Sequence, residues 1–289
     1  MEQIQFASPT SIDEAVGLLA DAKGKARVLA GGSDLLVQMR SGLRRPGLIV
    51  DIKRIDEVMT IAAEKGGFRV GAAVPCAELV EHEGFSKAWP GVSESADLIG
   101  STQIQGRCSL GGNLCNASPA ADTVPALIAA GAVCTVAGPK GRRDVKVEEV
   151  CTGPGKTSLA DGEMVVSFLF PKRPDRSSDA YLRFIPRTEM DIAVVGVGVS
   201  LTTDRGGKIT AARVGLGAVA PTVLVVDEGA KALIGSTLDE GVGAKLAAAT
   251  SAACRPINDK RGTIEYRIKV AGVLARRAAG IAYERARSN

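Results

Sequence analysis

The sequence has a single histidine, His82, in 289 residues. An imidazole-built zinc or copper centre is thereby excluded, and an acyl-transfer triad would have to rest wholly on that residue. Cysteine is present six times, but the nearest two, Cys108 and Cys115, stand seven positions apart. No close pair exists for a zinc knuckle, an iron–sulfur ligand run or a redox dithiol, so the chain reads as a protein of a reducing compartment with no metal site of its own. Aromatic residues make up 3% of the chain, too few for the stacking platforms that hold single-stranded nucleic acid. The 36 basic and 32 acidic residues nearly balance. Short basic clusters, Lys140 to Arg143 and Arg276-Arg277, read as solvated surface, and nucleic acid is not an expected partner. Long apolar runs are also missing. Residues 126–138 are Ala/Gly-rich and fall well short of the roughly 20 that span a bilayer, and the start, MEQIQF, has no basic lead into an apolar stretch. The expectation is a soluble, cytoplasmic protein without a transmembrane segment.

Glycine, by contrast, is plentiful: 34 residues, many gathered in three short stretches, the pattern of backbone pressed against a ligand. The apolar 45% is enough for a sizeable core. Residues 4–51 read as strand, helix, strand, turn, short helix, strand. Ser11 and Glu14 form a capping box, and Ile12, Ala15, Val16 and Leu19 give that helix one apolar side. Residues 55–71 suggest two strands about the Lys65-Gly66-Gly67 turn. Helices are predicted over 76–81, 86–99 and 122–130, with a glycine loop at 111–116, and strands over 133–137 and 164–170. The polar run 171–178 is the predicted boundary. Beyond it, strands over 192–201 and 208–216 precede helices, and Gly196 and Gly198 would leave one strand face flat for close packing.

Two glycine stretches carry the chemistry. In Ala30-Gly31-Gly32-Ser33-Asp34-Leu35, paired glycines after a strand leave consecutive N–H groups free to point into one concavity, which suits a phosphate or pyrophosphate, or simply a tight turn. Leu110-Gly111-Gly112-Asn113-Leu114-Cys115-Asn116 repeats the Gly-Gly core and adds two amides that could fasten the loop while its backbone donors face a diphosphate. Asp122 could accept from a ribityl or ribose hydroxyl, or cap the next helix. Neither stretch is a GxGxxG dinucleotide fingerprint, and Gly153-Pro154-Gly155-Lys156-Thr157 lacks the first glycine of a phosphate-binding P-loop. A third cluster, Tyr181, Arg183, Arg187 and Asp191, could cover a flavin ring or form an interdomain seam with an Arg187–Asp191 ion pair.

Both glycine stretches in order, about 80 residues apart, followed by Ser118-Pro119-Ala120-Ala121-Asp122, Ala180-Tyr181, Arg187 and Asp191-Ile192-Ala193, closely resemble the FAD-binding medium subunit of the molybdenum hydroxylases, the group of carbon monoxide and xanthine dehydrogenases. The resemblance covers nearly the whole chain. It implies an α+β fold: a vanillyl-alcohol-oxidase-type (PCMH) FAD-binding domain in two subdomains, residues 1–55 and 56–173, and a small C-terminal α+β domain, 174–289, with an antiparallel sheet and helices. It implies FAD held by Ala30, Gly31, Gly32, Ser33, Asp34, Leu35, Leu110, Gly111, Gly112, Asn113, Asn116 and Asp122, with Tyr181 and Arg183 near the ring and no catalytic side chain. Ser33 stands where the family often has threonine or histidine and keeps a small donor. It further implies electron transfer from the [2Fe-2S] centres of a small subunit to a quinone-type carrier or NAD, substrate being oxidised in a molybdopterin-binding large subunit, within a dimer of heterotrimers that could lie peripherally on the inner face of the membrane. A self-contained flavin oxidase with its own substrate pocket and a flavin-free structural subunit are the competing readings.

Overall fold

A computed structural model describes residues 4–289; the first three residues of the expected 1–55 subdomain and of the MEQIQF start lie outside the described residues. The first unit runs β1 (Gln5–Ala7), α1 (Ile12–Asp21), β2 (Ala26–Leu29), α2 (Leu35–Arg40) and β3 (Leu48–Asp51). Its three strands form a parallel sheet in the order β1-β3-β2. Helix α1 starts where the sequence places it, since Ser11 Oγ accepts from Glu14 N at 3.2 Å. Its Ile12, Ala15, Val16 and Leu19 are buried.

The second unit comprises α3 (Asp56–Met59), β4 (Ile61–Glu64), β5 (Gly67–Gly71), α4 (Cys76–Glu81), α5 (Glu83–Ala88), α6 (Pro90–Asp97), α7 (Thr102–Gln105), α8 (Leu110–Cys115), α9 (Thr123–Ala129), β6 (Val133–Gly138), β7 (Gly141–Lys146), β8 (Cys151–Gly153), β9 (Lys156–Thr157) and β10 (Met164–Phe170). Five strands pair antiparallel in the order β4-β5-β10-β6-β7. Three predictions need correction. Residues 55–60 hold a helical turn before the hairpin, and the single helix expected over 86–99 is broken at Trp89-Pro90 into α5 and α6, because proline is accommodated at a helix start but not in its interior. The glycine loop expected at 111–116 is helix α8. Of the basic cluster at 140–143, Lys140 lies in the turn before strand β7, and Arg142 and Arg143 lie in it, pairing with Glu57 and Glu163.

The third unit is an antiparallel sheet, β11 (Ser177–Phe184), β12 (Val195–Thr203), β13 (Ile209–Gly217) and β14 (Leu224–Val225), covered by α10 (Asp227–Leu233), α11 (Glu240–Ala253) and α12 (Ile264–Ser288). Residues 177–178 of the predicted boundary run are buried in β11, which leaves 171–176 as the irregular connection. Residues 192–194 precede β12 instead of opening it. The flat face expected from Gly196 and Gly198 is present. A Cβ on Gly198 would lie 2.5 Å from the Pro125 carbonyl oxygen and one on Gly215 only 2.3 Å from it, so α9 packs directly on sheet backbone.

Candidate functional site

A cavity of about 420 Å³ opens between the first two units, within the size range of sites for small molecules and cofactors. It lies beyond the carboxyl end of parallel strand β2, where ligands of open parallel sheets bind. Ala30, Gly31, Gly32, Ser33, Asp34 and Leu35 line one side, and Gly111, Gly112, Asn113 and Asn116 line the other. The structure thus brings both glycine stretches to one space. Gly31 is the point of closest approach: a Cβ there would sit 1.6 Å from the carbonyl oxygen of Arg107. Gly32 has a φ of +76°, a conformation glycine adopts without the cost other residues meet.

The donors on the two sides differ. Among the described residues, the N–H groups of Gly31, Gly32, Ser33 and Asp34 donate to no partner, a set of four backbone donors in a concavity. On the other side the N–H groups are engaged: Gly111 N donates to Ala72 O at 3.0 Å, Gly112 N to Ser109 Oγ at 3.1 Å and Asn113 N to Ser109 O at 2.9 Å. The expectation that these backbone groups face a diphosphate is therefore corrected. Ser109 caps a helix here, and Gly111 serves packing, since its Cβ would meet Ala72 O at 2.5 Å.

Two side-chain amides line the same side. Asn113 Oδ1 accepts from Thr123 N at 3.1 Å and from Thr123 Oγ1 at 2.7 Å. A backbone N–H can only donate, so the amide orientation is fixed and its NH2 group is left as the free donor. Gln38 Nε2 donates to Asn116 Oδ1 at 2.8 Å, tying α2 to α8 across the cavity. Asn113, not Asp122, supplies the side-chain cap of α9; the Asp122 carboxylate makes no capping bond.

Leu110 is 1% exposed and faces the core, and Asp122, Tyr181 and Arg183 are not in the cavity wall. Arg183 donates to Leu98 O at 2.7 Å and to Asp122 Oδ1 at 3.2 Å. Burial pushes the Asp122 carboxyl up to about 6 despite the opposing Arg183 charge. Tyr181 is 2% exposed, with its hydroxyl unpartnered among the described residues, so its ring offers no open face for stacking. The Arg187–Asp191 ion pair is present at 3.2 Å; Arg261 joins it, and the two guanidiniums hold Asp191 below the usual carboxylate range.

Sequence reasoning missed Arg27, Gln38 and Arg44, and the wall built by Gly155, Thr157 and residues 159–165. Arg27 and Arg44 bring positive charge to the cavity wall, opposed by Asp34, Asp161 and Glu163; burial raises the Asp34 carboxyl above its ordinary value. A hint was available in Gly153-Pro154-Gly155: although no P-loop, it forms a turn whose Gly155 N donates to Ala117 O at 2.9 Å. Among the described residues no cluster of histidine, cysteine or carboxylate side chains could hold a metal, and no helix is long and apolar enough to cross a membrane.

Residues 2–173 match the FAD binding domain in molybdopterin dehydrogenase, and residues 180–282 match the CO dehydrogenase flavoprotein C-terminal domain. The chain belongs to the FAD-binding medium subunits of the molybdenum hydroxylases. The carbon monoxide dehydrogenase medium chain of Afipia carboxidovorans is 34% identical over 283 residues, 98% of each chain. The xanthine dehydrogenase FAD-binding subunit of Escherichia coli O157:H7 is 33% identical over 214 residues, 73% of each. A chain of the reconstituted CO dehydrogenase from Oligotropha carboxidovorans superposes with a TM-score of 0.94 at 33% identity, covering 98% of both chains. The α+β architecture expected from the resemblance, a two-part FAD-binding domain followed by an antiparallel-sheet domain, is that of this family.

Proposed function

We propose that the cavity holds FAD, with the diphosphate against the free N–H groups of Gly31, Gly32, Ser33 and Asp34 on one side and the NH2 groups of Asn113 and Asn116 on the other. The observation that carries this reading is the convergence of those unpaired donors on one space between the first two units. A diphosphate needs several hydrogen-bond donors and tolerates close backbone approach, and this wall supplies both. Arg27 and Arg44 add positive potential against the carboxylates of Asp34, Asp161 and Glu163, so recognition falls mainly to the neutral N–H and amide donors.

When bound, FAD supplies a redox centre that takes up electrons and hands them to a second acceptor. The chain's own part is to bind and orient that group. The buried Asp122–Arg183 pair lies at the start of α9, the helix that Asn113 caps. The family's division of labour supports an electron-transfer role beside a molybdopterin-binding large subunit and a [2Fe-2S] small subunit, in a dimer of heterotrimers with a quinone-type carrier or NAD as acceptor. Residues 1–55, 56–173 and 174–289 serve as the working division of the chain.

The test is reconstitution. Purified chain mixed with FAD and passed through a desalting column should keep one flavin per chain, with the visible absorption of oxidised flavin. A folded chain that retains none would sink the reading. Reduction of the isolated flavoprotein by a small organic substrate, without an iron–sulfur partner, would instead establish a self-contained oxidase.

A further inference from the structure

A second cavity, of about 310 Å³, lies in the third unit and shares no lining residue with the first. Three arginines reach it from three separate elements: Arg176 from the connection before β11, Arg205 from the β12–β13 turn and Arg287 from the last turn of α12. Side-chain contacts hold Arg176 and Arg287, and the backbone turn positions Arg205. Asp204 Oδ1 accepts from Gly206 N at 2.8 Å and Lys208 N at 2.9 Å, which closes the turn that carries Arg205. Arg176, at a φ of +54°, donates through Nε to Asp204 O at 3.1 Å. Arg287 lies over the Tyr283 ring with its Cζ 5.5 Å from the centroid, and Tyr283 Oη donates to Gly207 O at 2.7 Å.

Ten other arginines, among them Arg69, Arg142, Arg143, Arg213 and Arg285, pair with carboxylates. Among the described residues, Arg176, Arg205 and Arg287 pair with none, although Glu284 also lines the cavity. The lining side chains therefore carry a net charge of +2, three guanidiniums against one carboxylate. Like charges gathered in excess of their counter-charge repel one another, and a bound anion relieves that repulsion. A carboxylate has two oxygens and matches one guanidinium fork. Three forks arriving from different elements match a group with more oxygens, the geometry of a phosphate.

We propose that this cavity binds a phosphate group, independently of the flavin reading. The chain saturated with FAD, so that the first cavity is filled, is titrated with inorganic phosphate by calorimetry at ionic strength held constant with chloride. One phosphate should bind per chain. Arg205→Ala and Arg287→Ala should each weaken it about tenfold or more, with flavin content unchanged. Glu284→Gln should tighten it, a gain that a merely structural role for these residues would not give. Undiminished binding by the Arg205→Ala/Arg287→Ala double variant, absence of any phosphate heat, or tighter binding of acetate than of phosphate would each overturn the assignment. Should the chain fail to hold FAD, the same titration on the flavin-free chain, read against the same variants, still decides the question.

Discussion

Gly31→Ala is the most direct perturbation of the proposed site. The new methyl would begin 1.6 Å from the Arg107 carbonyl oxygen and 2.3 Å from its carbon. Restoring an ordinary 3.4 Å contact parts the two segments by about 1.8 Å. Both partners are backbone, so no side chain can swing aside, and the cost falls at or above the upper end of the roughly 1–3 kcal/mol typical of overpacking. The same displacement carries the N–H groups at 31–34 away from the amides of Asn113 and Asn116, so a diphosphate held from one side loses partners on the other. Losing two charge-assisted bonds, at roughly 1.5–3 kcal/mol each, weakens FAD about 100-fold or more. The assay pairs flavin retained after desalting with the thermal midpoint of the flavin-free chain, beside Gly280→Ala in α12. Nothing lies within 4 Å of a Cβ at Gly280, and alanine there should be stabilising by roughly 0.5–1 kcal/mol. If Gly31→Ala keeps wild-type flavin content and midpoint, the two stretches do not meet as described and the site argument fails.

Asn113→Asp keeps the acceptor for Thr123 but exchanges the free NH2 group for negative charge, so equilibrium unfolding in urea should change by less than about 1 kcal/mol while FAD retention drops sharply; Asn113→Ala should lose both. Asp122 titrates at about 6 in the folded chain against an ordinary 3.8. The folded state therefore binds the extra proton between those values, and stability contributed below pH 4 is lost as pH rises through 6, by about 3 kcal/mol at most. Urea midpoints from pH 4 to 7 should fall less steeply in Asp122→Asn, whatever that variant's absolute stability with Arg183 left unpaired; an unchanged slope would assign the titration elsewhere. Gly198→Ala drives a Cβ against the Pro125 carbonyl oxygen at 2.5 Å and should lower the thermal midpoint and also the flavin retained, although Gly198 does not touch the cavity.

Features governed by local chemistry were legible in the sequence. The Ser11 cap, the apolar side of α1, the turn at Gly66-Gly67, and the close packing at Gly198 follow from backbone freedom and side-chain spacing within a few residues. The two glycine stretches were found for the same reason, but their conformations were not separable from sequence. Gly31-Gly32 is an open turn because Gly32 takes a positive φ and Gly31 must clear Arg107. Gly111-Gly112 is helical because Ser109 caps it and Gly111 packs on Ala72, which lies 39 positions earlier in the chain. Arg27, Gln38 and Arg44 carry no local signal at all, since only the fold brings them to the wall.

Asn113 shows how contacts distant in sequence decide the site's chemistry. Its amide could have pointed either way from sequence alone, and the N–H of Thr123 selects the orientation. Thr123 is held there because α9 lies on the glycine face of β12 and β13, with Pro125 against Gly198 and Gly215. The small residues of the third unit therefore determine which atom of a side chain in the second unit faces the cavity. A larger residue on that sheet face would lift α9, release Thr123 from Asn113, and free the amide to turn its acceptor toward the cavity.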